Sequence, residues 1–494
     1  MLELSYYPAA FGVLACVLSV FLVKQFTPPA ELQHLPRVPI LPLLWSYVKG
    51  EVEDIRIKKL IVPFANQQKE GVVVVYALGR WIVHVLDHKI AKDLSADIET
   101  WPKEEPPDDS LLWRFVGRTN VILSNGSNWK RHSRVVRSAL GRTIPIGDFV
   151  GLAHKLFGVM GQGGRFKWDD LTMRFTLDAV GTTTFGHDFK AISDMESPFV
   201  RDYNSVMDSI ASIPTLLEPS SSRYIVFPSL ERWLPRPAVV KKIDSLVAMF
   251  GQILEEKKNN KGDDMLTFML EDPEMSDVEF RDNMVVFFIA GHDTTAGAMS
   301  SLVYYLARNP ELQKRCRAEV VAAMGKNEPN MENMRNMPLV QACIREALRI
   351  NTPITYMVPR MSNNEANLLS SNGKTYYIPP RTSVILNICA IHHNADYWPA
   401  PQEFQPSRFM GKDSKEESRV DASLWLPFAL GPRQCPARNF ALYELRTLAS
   451  MLLQQWEWTL PADSKHFDFP QNGFSPFALS LPKDMEVEFK KVKF

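Results

Sequence analysis

The sequence predicts a mainly α-helical protein with small β regions. Apolar residues recur at helical spacing along most of the chain, whereas β-branched residues cluster in only two short patches. Hydrophobic residues make up 45% and charged residues 23% of the 494 residues. This composition is typical of a globular protein and excludes long disorder. No internal repeat divides the chain, so we expect one large domain although the length alone would allow several.

An uncharged run opens the chain. Residues 4–23 carry no charged side chain, and about 20 helical residues cross the core of a bilayer. Glu3 is the only charge before this run, so the basic leader of a cleaved signal peptide is missing. Lys24 and Arg37 follow the run and favour a cytosolic body by the positive-inside rule. We therefore predict a retained membrane anchor over residues 1–24.

A proline-rich segment follows this anchor. Proline cannot continue a helix, and it stiffens a short linker. The segment predicts a hinge over residues 25–45, which would hold the body of the protein, residues 46–494, at a fixed height above a membrane. Its prolines are Pro28, Pro29, Pro36, Pro39 and Pro42.

Helical periodicity accounts for most of the body. Residues 51–70 interleave charged and apolar side chains and predict its first helix. The same periodicity, with helix start and stop signals, predicts further helices at 129–140, 149–160, 168–186, 196–212, 238–259, 277–308, 310–325, 338–350 and 438–453.

Strand and loop signals are few. Residues 72–86 are rich in β-branched side chains and predict strands, and similar signals return near 376–378 and 382–388. Two polar runs, 255–264 and 411–419, predict loops.

The charge balance hides a local excess of cations. Lys plus Arg total 56, as do Asp plus Glu, so the formal net charge is zero. A neutral chain is not expected to bind nucleic acid, which requires excess positive charge. No acidic residue lies between Trp129 and Gly147, where five cations give a local charge of +5 and predict either a basic docking face or a solvated helix surface. These cations are Lys130, Arg131, Arg134, Arg137 and Arg142.

The five cysteines are few, odd in number and scattered. This excludes a disulfide-built secreted scaffold and favours a reducing compartment. Cys16 lies in the predicted anchor, and Cys316, Cys343 and Cys389 show no surrounding motif. Cys435 stands apart because residues 428–435 read F-A-L-G-P-R-Q-C.

This segment resembles the haem-binding loop of the cytochrome P450 family. The resemblance implies the cytochrome P450 fold with a single large haem domain, and haem b (iron protoporphyrin IX) as the cofactor. Cys435 would be the metal ligand, because a thiolate donates electron density to the iron and favours cleavage of O2. Phe428, Gly431, Arg433 and Ala437 would contact the cofactor. The alternative is that Cys435 is a buried structural thiol.

Two positions of this loop depart from the family pattern. Ala437 replaces a glycine, which adds one methyl group and favours the helix that follows. Pro436 directly follows the cysteine and has no backbone N–H. Because N–H bonds to sulfur help to set the reduction potential of such sites, we expect Pro436 to increase electron donation by Cys435.

A second motif lies within the predicted helix 277–308. Residues 290–295 read A-G-H-D-T-T and are similar to the acid–alcohol segment of the distal helix of the family. The resemblance implies that Asp293 and Thr294 are catalytic and deliver protons during oxygen activation. His292 occupies a variable position and is interpreted as a spectator. Without the resemblance, the segment would be a helix with a polar turn.

Further resemblances concern charged residues. Glu346 and Arg349 form an E-x-x-R pair on one helix face, and the resemblance implies that Arg408 joins them in a buried structural triad. Trp129 matches a family motif that contacts a haem propionate, but its arginine position is Ser133, so His132 or Arg134 would replace it. Arg360 matches a second propionate-binding arginine. The basic segment would dock an acidic reductase.

The order of the chain assigns an apolar substrate pocket, in agreement with the hydrophobic character of most binding pockets. It predicts a lipophilic substrate, which could be a steroid, a terpenoid, a fatty acid or a xenobiotic. Each of the predicted lining residues, taken singly, fits ordinary core equally well. They are Trp113, Phe115, Phe287, Phe288, Ala290, Ile354, Met357 and Phe474.

The motifs together identify the chain as resembling a microsomal haem–thiolate monooxygenase. The implied partners are O2, a membrane and NADPH–cytochrome P450 reductase, with cytochrome b5 as an optional second electron donor. The implied location is the endoplasmic reticulum membrane, with a single N-terminal span and a cytosolic catalytic domain. Two alternatives stay open, namely an isomerase or dehydratase of the same fold that uses no O2, and a membrane-anchored haem or lipid binder without turnover.

Overall fold

The structure is a computed structural model that describes residues 19–20, 23–77, 79–105, 111–142, 144–211, 236–411, 420–473 and 480–492. Most of the predicted anchor, the pocket residue Phe474 and most of the predicted loop 411–419 lie outside the described residues. Across the described residues, no helix combines the length and the apolar composition needed to cross a bilayer.

Helices form most of the body. They are α1 (Ile40–Val48), α2 (Glu53–Arg56), α3 (Val62–Gln68), α4 (His88–Ala96), α5 (Leu111–Val116), α6 (Gly126–Leu140), α7 (Ile146–Met160), α8 (Trp168–Val180), α9 (Pro198–Ala211), α10 (Pro237–Asn259), α11 (Met265–Met269), α12 (Asp277–Arg308), α13 (Pro310–Met324), α14 (Met331–Arg335), α15 (Pro338–Ile350), α16 (Ile388–His392) and α17 (Arg438–Gln455).

Short strands form four small sheets. The strands are β1 (Val72–Ala77), β2 (Arg80–Val85), β3 (Gly163–Lys167), β4 (Arg360–Met361), β5 (Ala366–Leu369), β6 (Thr375–Ile378), β7 (Ser383–Leu386), β8 (Trp456–Thr459), β9 (Asn472–Gly473), β10 (Leu481–Pro482) and β11 (Glu486–Lys491). The largest sheet has the order β1-β2-β7-β4, in which only the β2–β7 pair is parallel. The others are β3-β11-β8, β5-β6 and β9-β10.

The structure confirms the predicted mainly α-helical fold and corrects some boundaries. Helix α10 continues to Asn259, so the first half of the predicted loop 255–264 is helical. Helix α1 begins at Ile40, inside the predicted hinge 25–45, because Pro39 ends the extended chain and apolar residues follow it. The sheet β3-β11-β8 was not predicted, because its strands are short and most residues of β3 are exposed.

Helix α12 is the central element of the body. A capping box starts it, in which Ser276 Oγ accepts a hydrogen bond from the Glu279 N–H and the Glu279 carboxylate accepts one from the Ser276 N–H. The helix packs most extensively on α8 and also contacts α15 and α17. A Cβ on Gly291 would lie 2.7 Å from a methyl carbon of Val180 in α8, so the glycine permits this close approach.

Candidate active site

The loop that carries Cys435 is held close to helix α4. The Cys435 N–H donates to the Phe428 carbonyl at 2.8 Å, which closes the loop before α17 begins. Gly431 has a φ of +68°, and a Cβ there would lie 2.4 Å from the Ser95 carbonyl oxygen of α4. Gly431 is therefore required both by its left-handed backbone and by the close contact with α4.

The Ala437 N–H lies near the sulfur of Cys435, whereas Pro436 has no N–H to donate. Burial raises the pKa of the Cys435 thiol, whereas the Ala437 N–H and the nearby cations Arg438 and Arg137 lower it. The donor thus comes from the position where the family has glycine. A metal ion at the sulfur would deprotonate the thiol, as it does for coordinating thiols in general.

The other described cysteines lie in different surroundings. Cys316, Cys343 and Cys389 are fully buried, whereas Cys435 is only partly buried. Burial holds the pKa of Cys343 well above its ordinary value and raises the pKa of Cys389 to about 12. Buried thiols in such surroundings are inert. Cys435 is therefore the best candidate ligand among the described cysteines.

Three cations lie close to one another near this loop, of which Lys103 and Arg360 are buried and Arg433 is half-buried. Burial lowers the pKa of Arg360 to about 10, and burial together with Arg360 lowers the pKa of Arg433 to about 9. Burial and these two guanidinium groups hold the pKa of Lys103 well below its ordinary value of 10.5. The Nε atoms of Arg360 and Arg433 are buried without a hydrogen-bond partner. Such a group of cations requires an anion to be stable.

This arrangement fits a haem. The Cys435 sulfur would bind the haem iron, and carboxylates such as the haem propionates would satisfy the orphaned Nε–H groups through charge-assisted hydrogen bonds. Arg433 also donates to the Ser124 carbonyl at 2.6 Å and lies over the Trp129 ring, 4.3 Å from its centre. The structure thereby brings Trp129, Arg360 and Arg433 into one region, as the resemblance implied.

Lys103 is a site residue that the sequence did not reveal. It sits beside Arg360 because the two residues form an isolated antiparallel β-bridge. Its Nζ donates to the Val358 carbonyl at 3.2 Å. A single lysine after Trp101-Pro102 carries no motif, so only the fold shows that it joins the two arginines.

Neither residue offered as a substitute for the missing arginine at Ser133 is free for that role. His132 is fully buried, with Nε2 3.0 Å from the Glu279 carboxylate and Nδ1 3.1 Å from the Asn283 amide nitrogen. Arg134 is 61% exposed and pairs with Asp272 and Glu274 at 3.2 and 3.0 Å. The contacts of both residues lie with the segment before α12 and its first turn, so their predicted propionate contact has no structural support.

The predicted basic face of α6 is largely neutralised. Four of the five cations of this basic segment pair with carboxylates, three of them because the chain brings an acidic segment, 271–279, alongside it. The pairs are Lys130 with Glu99, Arg131 with Glu279, Arg134 with Asp272 and Glu274, and Arg142 with Glu271. Arg137 instead donates to the Pro432 carbonyl of the cysteine loop at 2.7 Å and to Ser133 Oγ at 3.1 Å.

Asp293 and Thr294 are neighbours on α12, and their side chains form hydrogen bonds with different partners. Thr294 Oγ1 donates to the Ala290 carbonyl one turn earlier at 2.8 Å, as expected of a hydroxyl that competes for a helix carbonyl. The buried carboxyl of Asp293 accepts a hydrogen bond from the Tyr203 hydroxyl of α9 at 3.3 Å. Tyr203 carries no sequence motif, so its contact with Asp293 could not be predicted.

Glu346, Arg349 and Arg408 form the predicted triad. Arg349 binds both oxygens of Glu346, at 2.7 and 2.8 Å, and Arg408 Nε lies 3.3 Å from Glu346 Oε1. The Gln405 N–H also donates to Glu346 Oε1, at 3.0 Å. Each charge is therefore satisfied, which makes a fully buried pair tolerable.

The triad is tied to the cysteine loop through His392. Arg349 Nη1 donates to the His392 carbonyl at 2.8 Å, and His392 Nε2 accepts a hydrogen bond from the Leu426 N–H at 2.9 Å. Trp425 adds a second tie, because its indole N–H donates to the Arg345 carbonyl of α15 at 3.0 Å. These contacts support the predicted structural role of the triad.

The predicted pocket residues fall into two groups. Phe115 and Phe288 are at most 1% exposed, and Phe288 packs against the rings of its neighbours in the core between α9, α10 and α12. They therefore form part of the packed core rather than an exposed lining. The remaining described members keep exposed surface, and they are Trp113, Phe287, Ala290, Ile354 and Met357.

Comparisons with known proteins agree with this arrangement. The model of the family described as Cytochrome P450 matches residues 36–486. Leukotriene-B4 omega-hydroxylase 3 of Mus musculus is 32% identical over 72% of this chain and 71% of that protein. Cytochrome P450 4F5 of Rattus norvegicus is 27% identical over 73% of this chain and 72% of that protein.

A solved structure shares the fold. The cytochrome P450DA heme domain superimposes with a TM-score of 0.75 over 93% of this chain and 97% of that chain. The two sequences are only 22% identical, so this similarity supports the architecture alone.

Proposed function

The chain belongs to the cytochrome P450 family and is a monooxygenase, and from this premise we propose that it inserts one oxygen atom of O2 into a lipophilic substrate. NADPH would supply the electrons through NADPH–cytochrome P450 reductase, with cytochrome b5 as an optional second donor. The observation that carries the proposal is the partly buried Cys435 near a group of three cations that require an anion.

Haem is the cofactor that the family implies. We propose that Cys435 is its axial ligand and that Lys103, Arg360 and Arg433 bind its propionates, with Trp129 packed beneath Arg433. When bound, haem supplies the redox centre at which O2 is activated. Phe428 packs beside Trp425 and would limit access of water to the sulfur.

The chain itself would manage protons and water. We propose that the Asp293 carboxyl and the Thr294 hydroxyl move protons to the reacting oxygen, which is general acid catalysis by positioned groups. The Thr294 proton is directed at the Ala290 carbonyl in the described state, so the hydroxyl oxygen stays free to accept a second hydrogen bond.

A long-chain lipid is the proposed substrate class. The partly exposed apolar side chains of Trp113, Phe287, Ile354 and Met357 support a lipophile. Among steroids, terpenoids, fatty acids and xenobiotics, the relative named leukotriene-B4 omega-hydroxylase 3 favours fatty acids and their oxygenated derivatives.

The proposed location is the endoplasmic reticulum membrane. The uncharged run 4–23 supports an N-terminal anchor, and the prolines between residues 28 and 42 support a stiff connection to the catalytic domain. The family match begins at residue 36, after the uncharged run, which agrees with a separate role for that run.

A spectrum and a turnover assay test the proposal together. The reduced protein with carbon monoxide should show the shifted absorption of a thiolate-ligated haem, and Cys435→Ser should remove that shift. Cys389→Ala, which alters a buried thiol of the core, should retain it. Incubation with reductase, NADPH and a panel of fatty acids, steroids, terpenoids and xenobiotics should give hydroxylated products.

Other outcomes would identify the alternatives. Product formation without O2 or NADPH would show an isomerase or dehydratase. Tight binding of lipids with no product under any condition would show a binding protein. A carbon monoxide spectrum without the thiolate shift would contradict Cys435 as the ligand.

A further inference from the structure

Two side chains that the proposed function does not use contact the carboxyl group of Asp293. The Tyr203 hydroxyl donates to Oδ2 at 3.3 Å, and His292 Nε2 lies 3.0 Å from Oδ1, an ion-pair distance without the alignment of a hydrogen bond. Tyr203 is 3%, His292 0% and Asp293 6% exposed. A hydrogen bond therefore holds Oδ2 of this buried carboxyl group, and the His292 ring lies against Oδ1.

His292 has a defined tautomer. Its Nδ1 lies 2.5 Å from the Phe288 carbonyl oxygen, which can only accept a hydrogen bond, so Nδ1 carries a proton. Nε2 is consequently the atom that faces Asp293. The predicted spectator thus contacts the catalytic carboxyl group, and its orientation is set by the backbone of its own helix.

Ring packing fixes Tyr203 independently of its hydroxyl group. Its ring meets Phe288 edge to face at 5.0 Å and His292 at 5.1 Å between ring centres. Such contacts stabilise a defined ring position. Replacement of Tyr203 by phenylalanine therefore removes the hydrogen bond to Asp293 while the ring keeps its place.

We propose that Tyr203 is a positioning residue that holds the Asp293 carboxyl group in the orientation needed for proton transfer. This inference rests on the proposed monooxygenase function. Without the Tyr203 hydroxyl, Oδ2 loses its donor and the carboxyl group is free to rotate away from that orientation. Partly reduced oxygen is then released from the enzyme instead of being transferred to the substrate. NADPH is therefore consumed without formation of product.

The coupling of NADPH consumption to product formation tests the proposal. In Tyr203→Phe the product formed per NADPH should fall by about threefold or more, because one positioned proton-transfer group is disturbed. The KM for the lipid and the reduced carbon monoxide spectrum should not change. Tyr304→Phe is the matched control, because Tyr304 is another buried tyrosine, on α12 itself, and should leave coupling unchanged.

A double variant separates this role from a structural one. Asp293→Asn should lower coupling on its own, and adding Tyr203→Phe to it should cause no further loss, since the carboxylate is already gone. A full additional loss in the double variant would overturn the proposal, as would equal coupling of Tyr203→Phe and wild type.

A second measurement does not depend on turnover. The chain has only ten histidines, so isotope-labelled histidine can be followed by NMR in the diamagnetic, reduced carbon monoxide complex, and His292→Gln identifies the His292 signals. Asp293→Asn and Tyr203→Phe should both shift the Nε2 signal, and Tyr304→Phe should not.

The two measurements distinguish the possible failures. If no lipid is hydroxylated, the proposed function fails, and the NMR signals still decide whether the Tyr203 hydroxyl holds the carboxyl group beside His292. An Nε2 signal that is unchanged in Asp293→Asn would overturn the contact itself.

Discussion

Arg349 donates hydrogen bonds to both carboxylate oxygens of Glu346, at 2.7 and 2.8 Å, and both side chains are fully buried. The same guanidinium donates to the His392 carbonyl, which connects this pair to the cysteine loop. The stability of the cysteine loop therefore depends on the charge pair between Glu346 and Arg349 of α15.

Arg349→Lys should destabilise the holoprotein strongly. Lysine cannot form the two parallel bonds to Glu346, and breaking a buried pair costs about 3–5 kcal/mol. Urea unfolding followed by circular dichroism measures the change. Arg165→Lys is the control, because Arg165 is 40% exposed and its pair with Glu486 should contribute little to stability. Equal effects of the two substitutions would contradict the prediction.

Lys103→Met should weaken retention of haem. It removes one of the three cations proposed to bind propionates, and the loss of a charge-assisted hydrogen bond should raise the rate of haem dissociation by about tenfold. Transfer of haem to an excess of an acceptor globin measures this rate. Lys92→Met, which removes an exposed lysine of α4, should leave the rate unchanged. An unchanged rate in Lys103→Met would exclude Lys103 from the cofactor site.

Thr294→Ala should uncouple NADPH consumption from product formation by about tenfold, because a positioned proton-transfer group is lost. Ser301→Ala is the matched control. Ser301 lies on the same helix, and its hydroxyl makes the same kind of contact, with the Gly297 carbonyl at 2.7 Å. Coupling that falls equally in both variants would indicate a general effect of helix hydroxyl groups.

Glu279→Gln should change the pH dependence of stability. Burial acts to raise the pKa of Glu279, but hydrogen bonds from Arg131, Ser276 and His132 outweigh it and lower the pKa from 4.5 to about 2. A depressed pKa contributes stability that is complete above the unfolded value, near 4.5, and is lost as the pH falls toward 2.

The free energy of unfolding at pH 6 and at pH 4 tests this sign. Glu279→Gln should be less stable than wild type by about 1–3 kcal/mol at pH 6, and this difference should shrink at pH 4. Glu274→Gln, which alters a 59% exposed partner of Arg134, should have a much smaller effect. A constant difference at both pH values would show that the charge of Glu279 is not the cause.

Pro436→Leu should raise the reduction potential of the haem. The Ala437 N–H already acts to lower the pKa of the Cys435 thiol, and leucine would add a backbone N–H one residue nearer. A further donor withdraws electron density from the thiolate and stabilises the reduced iron. Redox titration measures the change, and a potential that stays equal or becomes more negative would contradict it.

Local patterns could be predicted from the sequence, whereas partners from distant segments could not. The bounds of α12, Asp277 and Arg308, agree with the predicted helix 277–308 because apolar periodicity and a capping box are both local signals. The Glu346–Arg349 pair could be found because both residues lie on one helix turn.

The ion pairs of α6 show what could not be predicted from the sequence. Its local charge of +5 is evident in the sequence, but the carboxylates of segment 271–279 lie more than 120 residues away in the chain and pair with it only in the fold. Lys103 and Tyr203 were missed for the same reason, because an isolated bridge and a helix contact place them at the site.

The cluster of Lys103, Arg360 and Arg433 should affect how long the protein persists in the cell. Three like charges in one buried region oppose folding until an anion joins them. A cofactor that binds only the folded chain stabilises it by mass action. The abundance of this enzyme should therefore follow the supply of haem, and newly made chains should be degraded faster in cells in which haem synthesis is blocked.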